Sequence, residues 1–374
     1  MVCAAVVLWG ALAWNAERFI NRVATVPLPE VSEQARALHA SAIVVDLHAD
    51  SLLFGRDLTR RAAVGHVDLP RLRDGGIALQ VFGVATVAPA GMNIERTESG
   101  ALDLLGVLFC LRLSPGCFGG PSARLASQAS GLAATIARDP GLVWVRSAAD
   151  LAQLLERRTR DPAVIGAILG IEGAHALESD PQNLERAAAL GVRMIGLAHF
   201  TDNAYAGSAH GVAKGGLSDL GRRTLARMEE LGIAADLAHL APAAIDELLA
   251  LATQPVVVSH GGAKGTCDNA RTLSDAQLRA IAANGGVVGI GYWQEAVCGI
   301  EPRHVARAIR YVADLIGDDH VALGSDYDGG TTVGFDTSQL PVLTQALLDE
   351  GQSDASIRKI LGGNALRVLA ATLP

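Results

Sequence analysis

Apolar segments of strand length recur along most of the chain, and an amphipathic stretch follows nearly every one of them. Eight such segments lie at 43–47, 77–85, 164–171, 192–198, 233–238, 255–259, 286–292 and 321–325. The stretches between them, such as NLERAAALG and RHVARAIRYVADLIG, have apolar residues three and four positions apart, which predicts helices. Strands that are apolar throughout and alternate with helices are typical of a parallel sheet buried on both faces. Eight strand–helix units therefore predict a (β/α)8 TIM barrel.

A barrel of this kind can occupy most of the 374 residues as one domain. We expect this domain to cover 31–374, with a helical insertion at about 86–160, because that stretch is too long for one connection between strands. A doubly wound open sheet is the alternative α/β fold. No strand in the sequence is followed by the glycine-rich phosphate-binding patterns of many such sheets, so the barrel is favoured.

The first 30 residues differ from the rest of the chain. Residues 2–14 are apolar without interruption, and the run ends at Asn15. Because a membrane-spanning helix needs about 20 residues, this length fits the core of a secretory signal better. Ala11-Leu12-Ala13 has the small-x-small pattern of a cleavage site, although no Lys or Arg precedes the run. We expect 1–30 to be a signal or anchor segment and linker, with the protein periplasmic or membrane-anchored facing the periplasm. A packed N-terminal helix and a cytoplasmic protein are the alternative.

Composition and net charge indicate which class of molecule the protein can bind. Half of the residues are hydrophobic and the formal net charge is -8, without a basic stripe that could neutralise phosphates. We therefore expect a small polar substrate and no nucleic acid.

None of the five cysteines forms a C-x-x-C pattern, which argues against a thiolate zinc site. In an exported protein Cys110 could pair with Cys117 and Cys267 with Cys298, whereas in the cytosol all would be small buried residues.

Metal-ligand side chains stand where the apolar segments end. They are His48, Asp50, Glu172, His199, His239, His260 and Asp326, and they follow six different segments. Because the carboxyl ends of barrel strands converge on one mouth, we expect these side chains to face one another. His66-Val67-Asp68 repeats the H-x-D spelling but precedes Leu-Pro in a turn, so we interpret Asp68 as a helix cap outside the site.

The spacing and type of these residues predict a metal centre. Residues two apart on a strand point to the same face, so His48 and Asp50 can approach one ion together, and Asp46 is expected in a supporting polar network. Imidazole and carboxylate ligands without thiolate suit Zn²⁺ or a similar divalent metal. Because the ligands exceed the needs of one open site, two ions about 3.5 to 4 Å apart are expected, with Glu172 as the bridge.

Eight short motifs in this order resemble those of one known family. They are HAD at 48–50, IEG at 171–173, AHFTDN at 198–203, DLAH at 236–239, VSHGGA at 258–263, DNAR at 268–271, GSDYDGG at 324–330 and GGNALRVL at 362–369. Together they resemble the membrane (renal-type) dipeptidases, metallopeptidase family M19, within the amidohydrolase-like barrels. The resemblance extends from about residue 41 to the C-terminus, and the chain is similar to the bacterial members rather than to the lipid-anchored animal ones.

The resemblance implies a role for each metal ligand. His48 and Asp50 would bind one zinc ion, His239 and His260 would bind the other, and Glu172 would bridge them. The implied enzyme is a zinc-dependent dipeptidase acting on dipeptides with a free C-terminal carboxylate, including D-residues at that position.

It also implies the residues that handle the substrate. His199 would contact the substrate carbonyl and stabilise the oxyanion, Arg271 would hold the substrate carboxylate, and Asp326 would transfer the proton. Cys267 and Cys298 resemble a disulfide-bonded pair of secreted relatives. Thr272 stands where family members often have Asn, and the tryptophan common after the His199 motif is absent, so the substrate range is the least defined of these expectations.

Two other functions stay open. A hydrolase of N-acyl amino acids, lactams or lactones could use the same barrel, but no lysine ends the fourth strand and the first motif is H-x-D rather than H-x-H. A catalytically inactive, anchored barrel protein is the second alternative, against which the complete ligand set argues. Whether the chain forms a homodimer is also open.

Overall fold

Eight parallel strands form a closed barrel in the computed structural model, which describes residues 17–374. The strands are β1 (Val44–Ala49), β2 (Ile77–Phe82), β3 (Ile165–Ile171), β4 (Val192–Gly196), β5 (Ala234–Asp236), β6 (Val257–Val258), β7 (Val287–Ile290) and β8 (Val321–Leu323). Each strand pairs with the next along the chain, and β8 pairs with β1 to close the ring. The predicted (β/α)8 barrel is confirmed.

The alternation of residues along β1 explains why polar groups occur in a buried strand. Val45 and Leu47 pack in an apolar cluster with Val368 and Leu369 of the C-terminal helix. Asp46 and His48 lie on the opposite face of the same strand, because successive side chains point to opposite sides. Both faces are therefore buried, one against apolar side chains and the other in a polar network.

Helices surround the barrel and connect its strands. The α-helices of five residues or more are Glu33–Ser41, Leu69–Asp74, Leu104–Leu111, Gly120–Arg138, Ala148–Arg160, Pro181–Ala189, Asp219–Glu230, Pro242–Leu251, Asp275–Ala283, Pro302–Ile316, Pro341–Asp349, Asp354–Arg358 and Asn364–Thr372, and a π-helical turn, Lys359–Gly363, joins the last two. Asp68 caps the second of these by accepting a hydrogen bond from the Arg71 N–H at 2.9 Å, as expected for that residue. No metal-ligand group among the described residues includes His66 or Asp68.

The long connection between β2 and β3 holds three α-helices and a short strand, Leu142–Trp144, that pairs with β3 outside the ring. A disulfide bond between Cys110 and Cys117 lies within this connection. A second disulfide bond joins Cys267, after β6, to Cys298, after β7. These are the two candidate pairs expected for an exported protein.

The N-terminal end of the described chain lies near the mouth of the barrel. Residues Arg22–Val23 pair in parallel with Thr332–Val333 of the loop that follows β8. The apolar run at 2–14, predicted as a signal or anchor, lies outside the described residues. Within residues 17–374, the helices are all too short or too polar to cross a membrane.

Candidate metal centre

The carboxyl ends of the strands surround a cavity of about 670 Å³. Among its lining residues are Asp50, Glu172, His199, His239, Arg271 and Asp326. His48 and His260 contact these residues from the barrel side. All seven side chains predicted from the strand ends are brought together, and all seven residues are buried.

The carboxylate of Glu172 lies at the centre of this cluster. Its Oε1 is 2.9 Å from His239 Nε2, 3.3 Å from His260 Nε2 and 3.7 Å from His48 Nε2. Its Oε2 is 3.3 Å from His199 Nε2. One carboxylate therefore contacts histidines on both sides of the cavity, which is the geometry that a bridging ligand requires.

The ligand atoms fall into overlapping groups, each within 4.8 Å of one another. One group is His48, Asp50 and Glu172, and another is Glu172, His239 and His260. Asp326 joins His48 and His260 in a third group. Because Glu172 belongs to the first two groups, the arrangement can hold two ions that share one carboxylate.

The residues fit a pair of divalent metal ions in their chemistry as well as their spacing. The donors are imidazole and carboxylate groups, the usual ligands of Zn²⁺ and similar metals. The buried Asp50 Oδ1 has no hydrogen-bond partner among the described residues, which is rare for a buried carboxylate oxygen unless a cation accounts for it. The Nε2 atoms of His239 and His260 lie 2.9 Å apart, so their lone pairs can point into the same small space.

Burial perturbs the ionisation of the ligands in two ways. Burial, with the charge of Arg271, lowers the pKa of His239 and His260 well below its ordinary value, which keeps them in the neutral form that binds metals. Burial also acts to lower the pKa of His48, but the carboxylates of Asp50 and Glu172 outweigh it and raise that pKa to about 10. The half of the site around His48 therefore has an excess of negative charge, which a divalent cation would balance.

Hydrogen-bonded carboxylates lie directly beneath the ligands. Asp46 accepts hydrogen bonds from the Ser325 N–H at 2.8 Å and from the Ser325 hydroxyl at 2.6 Å, so the polar network expected for Asp46 is present. On the other side, the Ser259 hydroxyl donates to Asp236 at 2.5 Å and lies 2.9 Å from Nδ1 of His260. Such partners fix the orientation of a ligand ring.

A family model described as Membrane dipeptidase (Peptidase family M19) matches residues 32–373. The chain belongs to the M19 family. Dipeptidase verJ of Clonostachys rogersoniana is 36% identical over 212 residues, which cover 55% of this chain and 55% of that protein. The match thus spans about half the length of the curated relatives. The solved dipeptidase AC, an M19 metallopeptidase, is 25% identical with a TM-score of 0.73 and covers 89% of this chain and 99% of its own. A solved metallopeptidase from Rhodobacter sphaeroides is 24% identical with a TM-score of 0.72, and the match covers 89% of this chain and 100% of that protein.

Two side chains of this M19 member line the cavity with unused donors or acceptors. Arg271 is buried, and its Nη2 donates to the backbone carbonyl of His260 at 2.7 Å. Its Nε, like Nδ1 of His199, has no hydrogen-bond partner within residues 17–374. The guanidinium of Arg271 can therefore donate to an anionic oxygen in the cavity, and the ring of His199 can donate to a carbonyl oxygen through a nitrogen that carries a hydrogen.

Asp326 stands at an uncommon backbone position next to the ligands. Its φ is +59° and that of His239 is +64°, in the left-handed region that few residues other than glycine adopt, although Asn, Asp and His do so more often than the rest. Burial raises the pKa of Asp326 well above its ordinary value, and Glu172 and Asp50 add to this while His48 opposes it. A carboxyl group in such a place can hold a proton near neutral pH.

Two residues of the M19 site were missed at the sequence level. His210, in the loop after β4, has its Nε2 3.0 Å from Nδ1 of His239, and burial, with the charge of Arg271, lowers its pKa to about 3. Gly83, directly after β2, faces the ring of His48 with no side chain between them. A histidine in a long loop follows no periodic pattern, whereas a glycine at a strand end could have marked a close approach.

Proposed function

We propose that the protein is a binuclear zinc dipeptidase that hydrolyses the peptide bond of dipeptides with a free C-terminal carboxylate. The observation that carries the proposal is the carboxylate of Glu172, which contacts His48 on one side and His239 and His260 on the other, inside a cavity that Arg271 also lines. Membership in a dipeptidase family supports the same conclusion.

The ligand roles follow from the two groups that share Glu172. We assign His48 and Asp50 to one zinc ion and His239 and His260 to the other, with Glu172 bound to both. A set of three imidazoles and two carboxylates, without thiolate, favours zinc over softer metals. When bound, a zinc pair lowers the pKa of a water molecule to near neutrality and polarises a carbonyl oxygen.

The cavity volume and Arg271 support a small substrate with a carboxylate. A space of about 670 Å³ is typical of small-molecule sites. The planar guanidinium of Arg271 can form two parallel hydrogen bonds with a terminal carboxylate, and its buried position strengthens that attraction. We assign His199, whose ring lies 3.3 Å from Glu172, to the substrate carbonyl, where a donor would stabilise the developing oxyanion.

Asp326 supplies the proton transfer in this proposal. Its carboxyl group shares a ligand group with His48 and His260 and lines the cavity. A raised pKa allows it to accept a proton from the attacking water and to deliver that proton to the leaving amine. Glu172 acts by holding the two halves of the site together.

The proposal extends to stereochemistry, domain organisation and location. The Rhodobacter sphaeroides protein is described with a phosphinate mimic of L-Ala-D-Ala, so we include D-residues at the C-terminal position among the substrates to test. We propose one catalytic domain over 31–374 with its insertion at about 86–160. The apolar run at 2–14 and the two disulfide bonds support export to the periplasm or anchoring to a membrane facing it.

The test compares dipeptides with substrates of the alternative functions. Purified protein is assayed with L,L- and L,D-dipeptides, the corresponding dipeptide amides, N-acyl amino acids and lactams, and its zinc content is measured. We expect turnover of dipeptides, about two zinc ions per chain, and a higher KM for the amides. In Arg271→Gln the KM for dipeptides should rise towards that for the amides. Turnover confined to N-acyl amino acids or lactams would overturn the dipeptidase assignment, and a folded protein without metal or turnover would favour an inactive barrel.

A further inference from the structure

We propose that His210 is a positioning residue that joins the wall of the substrate cavity to the metal ligand His239. The inference rests on the proposed function, because it takes His239 as a zinc ligand. His210 lies outside the strand ends and comes from the loop between β4 and the helix Asp219–Glu230. The residue is 1% exposed and is itself among those that line the cavity.

Both ring nitrogens of His210 have partners. Nε2 lies 3.0 Å from Nδ1 of His239, and Nδ1 lies 2.8 Å from the backbone carbonyl oxygen of Ile94. The ring stacks on that of Phe200, with centroids 4.6 Å apart and an interplanar angle of 24°. The backbone carbonyl of His210 accepts a hydrogen bond from the Thr97 N–H at 2.7 Å. The residue is thus fixed in position and orientation.

These contacts determine which nitrogen of His239 is free for a metal. A carbonyl oxygen can only accept, so the hydrogen of neutral His210 must be on Nδ1, where it donates to Ile94. Nε2 of His210 then has a lone pair, and the hydrogen between the two rings belongs to Nδ1 of His239. The lone pair of His239 is consequently on Nε2, the atom that lies 2.9 Å from Glu172 Oε1. His210 therefore selects the metal-binding tautomer of His239.

The other end of this hydrogen-bonded chain is part of the substrate cavity. Ile94 lines the cavity together with its neighbours Met92 and Asn93. These residues belong to the long connection between β2 and β3, whereas His239 follows β5. His210 therefore holds a wall of the pocket at a set distance from the metal ligand. Its loss should weaken zinc retention and also raise the KM, since both ends of the chain would be released.

Three variants separate hydrogen bonding from packing. His210→Phe keeps a ring that can stack on Phe200 but removes both hydrogen bonds. In His210→Gln the side-chain amide reaches to where Nε2 lies and can accept from His239. The control is His320→Phe, which removes a histidine whose Nδ1 lies 2.9 Å from the carbonyl oxygen of Gly286, outside the cavity lining.

Each variant is exposed to graded chelator, after which the retained zinc is measured; KM and kcat for a dipeptide and the thermal midpoint are measured in parallel. Loss of an outer partner of a metal ligand typically costs about 10- to 100-fold in metal affinity. We expect a loss of that size and a raised KM in His210→Phe, recovery of most of the affinity in His210→Gln, and wild-type zinc retention and KM in His320→Phe.

His239→Ala makes the possible failures distinguishable. If His239→Ala keeps all of its zinc, the metal assignment in the proposed function is wrong. If His239→Ala loses zinc but His210→Phe retains it with a wild-type KM, the positioning role is wrong even when the thermal midpoint falls. Should His210→Phe not fold, His210→Asn replaces it, because the shorter amide can reach Ile94 but not His239. Equal zinc affinity in His210→Asn and His210→Gln would then overturn the inference.

Discussion

Gly83→Ala should disable the metal centre through one methyl group. Gly83 follows β2 directly, and its N–H donates to the carbonyl of Ala49 at 2.8 Å. A Cβ at this position would lie 2.5 Å from Cε1 of His48, 2.8 Å from Nε2 of the same ring and 3.0 Å from Oδ1 of Asp50. The added methyl group would therefore overlap the two residues that we assign to one zinc ion.

The size of the effect follows from these distances. Carbon atoms in contact lie about 3.5 to 4.0 Å apart, so a contact of 2.5 Å requires a displacement of roughly 1 Å. The ring of His48 cannot move away freely because the ring of His260 lies against it, with centroids 4.1 Å apart. Overpacking of this kind costs about 1 to 3 kcal/mol in the free energy of unfolding. A misplacement of about 1 Å at an active site can lower the rate roughly 100-fold.

The assay measures kcat/KM for a dipeptide, bound zinc and the free energy of unfolding. Gly170→Ala is the matched control, because a Cβ at this strand position would be 3.5 Å from its nearest neighbour, an ordinary contact. We expect kcat/KM to fall about 100-fold and zinc to be lost in Gly83→Ala, with little change in the control. If both variants retain equal zinc and equal turnover, the space beside His48 has no role in the site.

Three further predictions concern separate parts of the molecule. Asp326→Asn should keep its zinc but lose about 100-fold or more in kcat; unchanged turnover would exclude Asp326 from proton transfer. Burial raises the pKa of Glu17 from 4.5 to about 7 although Arg56 opposes it, so the fold favours the neutral acid. The contribution of protonated Glu17 to the free energy of unfolding is complete below pH 4.5 and is lost as the pH rises through about 7. Glu17→Gln should accordingly have the same free energy of unfolding as wild type at pH 4.5 and a higher one at pH 8, by up to about 3 kcal/mol, as measured by urea unfolding. A difference between the two proteins that does not change with pH would refute this. Replacing Cys267 and Cys298 together by Ser should cost about 4 kcal/mol in the free energy of unfolding, since the bond closes a loop of 31 residues, while zinc content stays unchanged; loss of zinc would show that the bond also shapes the site.

The barrel was predictable because its strands are buried on both faces and therefore appear as continuous apolar runs. The run at 255–259 marks β6 correctly, but only Val257–Val258 pair as a strand, and the run at 233–238 contains β5 as Ala234–Asp236. Apolar character extends further along the chain than the strand pairing does. Burial continues where the backbone leaves the sheet towards the mouth, so hydrophobicity overestimates the length of each strand.

The strand-end ligands were predictable for a geometric reason that does not extend to the loops. In a closed parallel barrel, every strand delivers its last residues to the same mouth, so position along the sequence implies proximity in space. His210 comes 14 positions after the last residue of β4, and the path of such a loop is set by contacts that no sequence period encodes. Gly83 acts by lacking a side chain, and its importance depends on the position of the ring of His48.

On both sides of the metal-ligand cluster, a serine hydroxyl contacts both a buried carboxylate and a ligand residue. Ser325 Oγ lies 2.6 Å from Asp46 and 3.0 Å from the carbonyl oxygen of His48, while Ser259 lies between Asp236 and His260. Both carboxyl groups are buried, and burial raises the pKa of each while the serine hydrogen bonds oppose that rise. Because these partners belong to the strands or lie within two residues of a strand end, the barrel itself sets the geometry of the proposed metal ligands. The loops are then free to differ in the substrate cavity, except where His210 ties one of them back to His239.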